Sequence, residues 1–139
     1  MYSLTKEMRD KITPTIAVQL LKDGNSRFVN NLKVNRNLLQ QVNETSANQH
    51  PFAIILSCID SRTSAELIFD QGLGDLFVIR VAGNVIAPSL LASIEFAAST
   101  FGTALCVVMG SMATVGFSEG LTNVASLGLA QRAHPCPSR

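Results

Sequence analysis

Apolar residues fall along this chain in two patterns, short unbroken runs and longer stretches of helical period. Phe52 to Leu56 is apolar at every position, the pattern of a strand covered on both faces of a parallel sheet. Asp75–Val81 and Ala104–Met109 read as second and third strands. Between them, Ser64–Gln71 predicts a short helix stopped by Gly72 and Gly74, and Ala82-Gly83-Asn84 predicts a turn. Pro88 opens a helix carrying Leu91, Ile94, Ala98 and Phe101 that ends at Gly102. Upstream, Thr13-Pro14 has the form of an N-cap and first helical position, followed by Ile16, Leu20, Leu21, Phe28, Val29 and Leu32. Gly24-Asn25 interrupts that period, which leaves open one helix or two, the second resuming near Ser26. Lys33–Gln49 is polar, rich in Asn and Gln and without period, and reads as a surface connection.

Strands alternating with helices at this spacing predict an α/β fold: a mostly parallel sheet flanked by helices, with right-handed crossovers and an amino-terminal helical arm. The divisions expected are 1–109, which carries these elements of an α/β domain, and 110–139, a tail of different character. From Gly110 onward Gly, Ser, Ala and Thr dominate. Leu121–Gln131 is a weak helix candidate because Gly120 and Gly128 flank and interrupt it.

Composition narrows the function classes. The 139 residues suit one domain. Charged residues make up 15%, well under the usual share of about a quarter, which points to surface covered by another subunit. A net charge of +1 without a basic cluster argues against a nucleic-acid partner. Met1–Ile12 lacks an apolar signal core and no run reaches membrane-spanning length, so a cytoplasmic protein is expected. The cysteines Cys58, Cys106 and Cys136 are odd in number and widely spaced, as expected of thiols. Cys106, inside an apolar run, reads as a packed core residue.

The chemistry concentrates after the first strand, where Cys58, Asp60 and Arg62 fall within five positions. Ligands of open α/β sheets bind beyond the carboxyl ends of strands, so position and residue types agree. If the loop is extended, alternate residues share one side, and a thiolate and a carboxylate there could reach one zinc ion. Arg62 could equally hold Asp60 in a bidentate pair, which would take the carboxylate off the metal. A buried structural cysteine beside a surface ion pair is the plainer alternative. Other motifs carry less: Gly72-Leu73-Gly74 precedes a strand and lacks the third glycine of a dinucleotide fingerprint. Arg62 lies too near Cys58 for a phosphate-binding cysteine loop. His50, with no second histidine nearby, reads as a surface residue.

Taken together, Cys58-Ile-Asp-Ser-Arg62, Glu66 to Gly72, Phe77-Val-Ile-Arg80, Ala82-Gly83-Asn84 and Ser93-Ile-Glu-Phe96 resemble the β class of carbonic anhydrases, in family order, from about Ile16 to Gly110. The resemblance implies an oligomeric α/β enzyme, a homodimer or larger, that interconverts CO2 and bicarbonate through zinc-bound hydroxide. It implies Cys58 as first zinc ligand, Asp60 and Arg62 as the catalytic dyad with Asp60 able to occupy the metal, and Gln49, Phe77 and Gly83 at the substrate. It also exposes a departure. The family follows its third strand with Gly-His-x-x-Cys-Gly, where this chain reads Gly110-Ser111-Met112-Ala113-Thr114-Val115. Ser111 and Thr114 stand in place of the histidine and second cysteine, and neutral hydroxyls are poor zinc ligands. Weak zinc binding and impaired activity are therefore expected, with a non-catalytic subunit that oligomerises or binds a small anion as the alternative. His134 and Cys136 have the right chemistry but the wrong spacing. One codon choice for Ser111–Gly116 encodes His-Gly-Asn-Cys-Gly in a shifted frame, so a frameshift just before Ser111 would account for the departure.

Overall fold

The computed structural model describes residues 3–110 and 128–129. Its elements are α1 (Lys6–Arg9), α2 (Pro14–Val29), α3 (Leu38–Thr45), β1 (Ala53–Ser57), α4 (Ala65–Ile68), β2 (Leu76–Arg80), a 3-10 turn (Ala82–Asn84), α5 (Pro88–Phe101), β3 (Cys106–Met109) and β4 (Gly128–Leu129). The sheet order is β2-β1-β3-β4. The first three strands are parallel, with Ser57 opposite both Arg80 and Met109, so their carboxyl ends finish level. Gly128 and Leu129 pair antiparallel with β3, so these two residues are strand where the sequence offered a weak helix over 121–131. The rest of that span lies outside the described residues.

Alternation along the strands sorts two faces. Ala53, Ile55, Leu76, Val78, Val107 and Met109 meet Ala17 and Leu21 of α2 and Ala65, Ile68 and Phe69 of the α4 region in one core. On the other face Ile54 and Leu56 are buried, and Phe77 meets Phe101 of α5 edge to face, centroids 5.0 Å apart. Every residue of β1 is buried, as its unbroken apolar run predicts.

Local signals set the helix ends. The Thr13 hydroxyl accepts from the Ile16 amide with Pro14 at the first helical position. Gly102, in the left-handed conformation at φ 65°, closes α5. One alternative left open is closed and one expectation changes. Gly24 does not break α2: the helix runs through it, and the glycine is there because a β-carbon would lie 1.7 Å from the Phe69 carbonyl oxygen. The Lys33–Gln49 stretch is not merely a surface connection, because it holds α3, capped by the Asn37 side chain. Gln41 of α3 is buried and its side-chain oxygen accepts from the Leu73 amide at 3.2 Å. Ahead of it, Arg36 and Arg27 converge on the carboxylate of buried Asp70.

Candidate functional site

The site is assembled at the level edge where the three parallel strands end. β1 delivers Cys58, half-buried, as the first residue past the sheet. The loop is not extended. It turns at Ser61-Arg62 and is closed by the Thr63 amide donating to the Asp60 carbonyl at 2.9 Å. This turn, rather than strand-like alternation, brings Arg62 back onto Asp60. The guanidinium donates from Nε to Oδ1 at 3.0 Å and from Nη2 to Oδ2 at 2.8 Å, and the Arg62 amide adds a third bond to Oδ1. The bidentate pair that the sequence allowed is present. Asp60 is largely buried in the pair while Arg62 stays 60% exposed.

The Cys58 thiol is held below the usual thiol range. The Gly83 amide pointing at its sulfur is the main cause, followed by the Asp60 amide. Partial burial and the Asp60 charge push the other way and are outweighed. Gly83 can supply that amide because the 3-10 turn bends there through φ 64°, a conformation costly for other residues. The same turn reaches the third strand end, where Asn84 Nδ2 donates to the Met109 carbonyl at 3.1 Å. Val81 donates to the Ser57 carbonyl at 2.9 Å. Residues 81–84 therefore brace both β1 and β3 where they leave the sheet.

Cys58, Asp60, Arg62 and Gly83 are thus brought together. Gln49 and Phe77 are not. Gln49 is exposed ahead of β1, with the five residues of that strand between it and Cys58. Phe77 pairs with Ile54 near the start of the strands. It lines an open apolar groove of about 350 Å³ with Val78, Ile79, Ala92, Ser93, Phe96 and Ala97. Ser111, Thr114, His134 and Cys136 lie outside the described residues. Cys106 is half-buried on the same sheet face as Ile54, and burial pushes its thiol up.

Zinc asks for three protein donors with an open position, or four without. Among the described residues no group of three or more His, Cys, Asp or Glu could hold a metal ion. Cys58 and Asp60 make two at most, and the second is forked onto Arg62. The described donors do not fit a zinc shell.

Two residues escaped the sequence reading. Arg80 donates to the carbonyls of Cys58 and Asp60, and buried Thr63 reaches the same two oxygens. Backbone oxygens carry no residue code, so no spacing rule points to such partners.

The chain matches a family model described as carbonic anhydrase over residues 53–122, which passes beyond Gly110. A carbonic anhydrase of Mycolicibacterium smegmatis is 46% identical over 99 residues, covering 70% of this chain and 48% of that protein. Carbonic anhydrase 2 of Mycobacterium tuberculosis is 46% identical over 100 residues, covering 70% and 47%. The chain therefore spans about half the length of the curated relatives it matches. Among solved structures, the β-carbonic anhydrase CcaA is 33% identical with a TM-score of 0.47, covering 68% of this chain and 48% of that one.

Proposed function

The chain belongs to the β class of the carbonic anhydrases, and from that premise we propose that its Cys58 loop is an impaired form of a site for reversible hydration of CO2 to bicarbonate. The observation that carries this is the Cys58 thiol beside an Asp60–Arg62 fork at the carboxyl end of the central strand, with no third donor among the described residues. In this reading residues 1–109 carry the α/β part of the family domain and 110–139 are a divergent tail, whose first residues still fall within the family match that runs to 122. Cys58 and Asp60 would be the remaining zinc donors, the Asp60 carboxylate being held by Arg62. Gly83 directs its amide at the sulfur. Zinc would supply the activated oxygen in a complete site; with two donors, binding is weak and turnover low.

Gln49 and Phe77 are proposed as substrate contacts. One chain keeps them away from its own Cys58, so they could serve only the Cys58 loop of a second copy. That favours a homo-oligomer, as do the exposed Leu38, Leu39, Val42, Val85, Ile86, Leu91 and Phe96. The same exposed residues favour the second reading, a non-catalytic subunit that oligomerises.

Metal content and CO2 hydration test the first reading. The purified chain should carry well under one zinc, less still as Cys58→Ser, with turnover near background. The double variant Ser111→His/Thr114→Cys should raise both zinc and turnover by restoring the family's donor types at their spacing. Stoichiometric zinc with turnover in the unmodified chain would remove the impairment. Residual zinc unchanged in Cys58→Ser would remove the site. Message sequence across codons Met109–Gly116 decides the frameshift: third bases incompatible with the shifted reading would end it.

A further inference from the structure

The backbone of the Cys58 loop is gripped as firmly as its side chains. The carbonyls of Cys58 and Asp60, two residues apart, meet the same pair of side chains. From the end of β2, Arg80 donates through Nε to the Cys58 carbonyl at 3.0 Å and through Nη2 to the Asp60 carbonyl. From the opposite end of the turn, the Thr63 hydroxyl stands 3.0 Å from the Cys58 carbonyl and 2.8 Å from that of Asp60. Its one proton serves one oxygen at a time, while the Thr63 amide donates to Asp60 throughout. Thr63 is buried at 3% relative exposure, so its polar groups have little water to fall back on.

Two arginines thereby divide one aspartate. Arg62 takes the carboxylate, and Arg80 takes the backbone oxygen without competing for the side chain. A planar fork offers its donors at one fixed spacing, so a guanidinium bridging two carbonyls sets the distance between them.

We infer that Arg80 and Thr63 are positioning residues, a carbonyl clamp that fixes the bend of residues 58–62 and so holds the Cys58 side chain at the end of β1 and the Asp60 carboxylate against Arg62. The inference rests on the reading that the Cys58 loop is the functional one. Arg80 is exposed, and the guanidinium is spent on backbone rather than on an acidic partner, which is the arrangement expected of a brace.

The test uses the full chain, metal-free, with Cys106→Ser and Cys136→Ser so that Cys58 is the sole thiol. Amide exchange at Arg62 and Thr63 and alkylation of Cys58 by iodoacetamide are compared for Arg80→Met, Arg80→Lys and Thr63→Ser. In Arg80→Met the two loop amides should exchange about fivefold to tenfold faster, the size expected for losing charge-assisted hydrogen bonds. The alkylation rate should shift at least about twofold, because the loop that carries the sulfur loses its fixed bend and with it the sulfur's exposure. Arg80→Lys, able to hold one carbonyl, should fall between, and Thr63→Ser, keeping the hydroxyl, should stay near the parent chain. Exchange at Ile54–Leu56 should not change. Loop exchange at the parent rate in Arg80→Met, or a rise shared equally with Ile54–Leu56, would overturn the clamp. Zinc content of the unmodified chain is measured separately and judges only the functional reading, since the clamp is read without metal.

Discussion

A thiol reacts according to what surrounds its sulfur, and the two described cysteines have opposite surroundings. Cys58 receives the Gly83 and Asp60 amides, which stabilise the thiolate. Cys106 gains no such donor, and burial disfavours its charged form. Under limiting iodoacetamide at mildly alkaline pH, peptide mass spectrometry should find Cys58 labelled ahead of Cys106. Lowering the pH toward neutrality should widen the difference, because the thiolate fraction of Cys106 falls first. Cys106 labelled first would contradict this order. The triplet Cys58, Asp60 and Arg62 was legible in the sequence because its members are neighbours and their chemistry is local. The turn that joins them was not, since alternation was assumed where Thr63 closes a bend onto the Asp60 carbonyl. Nor could spacing show that an amide twenty-five positions on, at Gly83, meets the sulfur.

At the level of elements, the strands and the caps of α2 and α5 were readable because their signals lie within a few residues. What spacing left open or missed rests on contacts between distant segments. Gly24 resembles a break until the Phe69 carbonyl is seen occupying the space of a β-carbon. Gly24→Ala should therefore cost about 3 kcal/mol or more despite alanine's better helix propensity, because the helix must move off α4. Chemical denaturation checks this, and a stabilised variant would refute the contact. The α3 region was obscured by its polar composition, whose purpose is visible at Gln41, which accepts from the Leu73 amide, and just ahead of α3 at Asp70. That carboxylate accepts from Arg27, Arg36 and the Val34 amide, joining α2, the stretch before α3 and the end of α4. Burial alone would raise the Asp70 pKa, but the Arg27, Arg36 and Val34 hydrogen bonds together hold it below the ordinary value. A folded pKa below the unfolded one stabilises the protein above the ordinary aspartate range, near about 3.9. The contribution is lost as pH falls through the lowered folded value. Asp70→Asn, which suits the positive φ of 45° at this position, should lose about 3 kcal/mol at neutral pH. Its melting temperature should then fall less than the parent's on acidification from pH of about 5 to about 3. Equal acid sensitivity would place the titrating group elsewhere.

Across the whole molecule, the described surface is unusually apolar for a free chain. Phe96 and Leu39 are 56% and 71% exposed, and α5 buries only Ala97 fully. Sedimentation velocity should show a dimer or larger species, with Phe96→Asp shifting it toward monomer. A parent chain that stays monomeric at all concentrations would exclude self-association through this face. No helix among the described residues is long and apolar enough to cross a membrane. The low charge content was the sequence's own trace of this surface, though it could not say which helix carries it. A last consequence follows from β1 lying between β2 and β3 with both ladders in register. Sliding β1 by one position would break two sets of hydrogen bonds and turn its apolar side chains over at once. The Cys58 loop therefore leaves the sheet from a fixed mount, so a substitution within it changes which groups are presented without moving the point they are presented from.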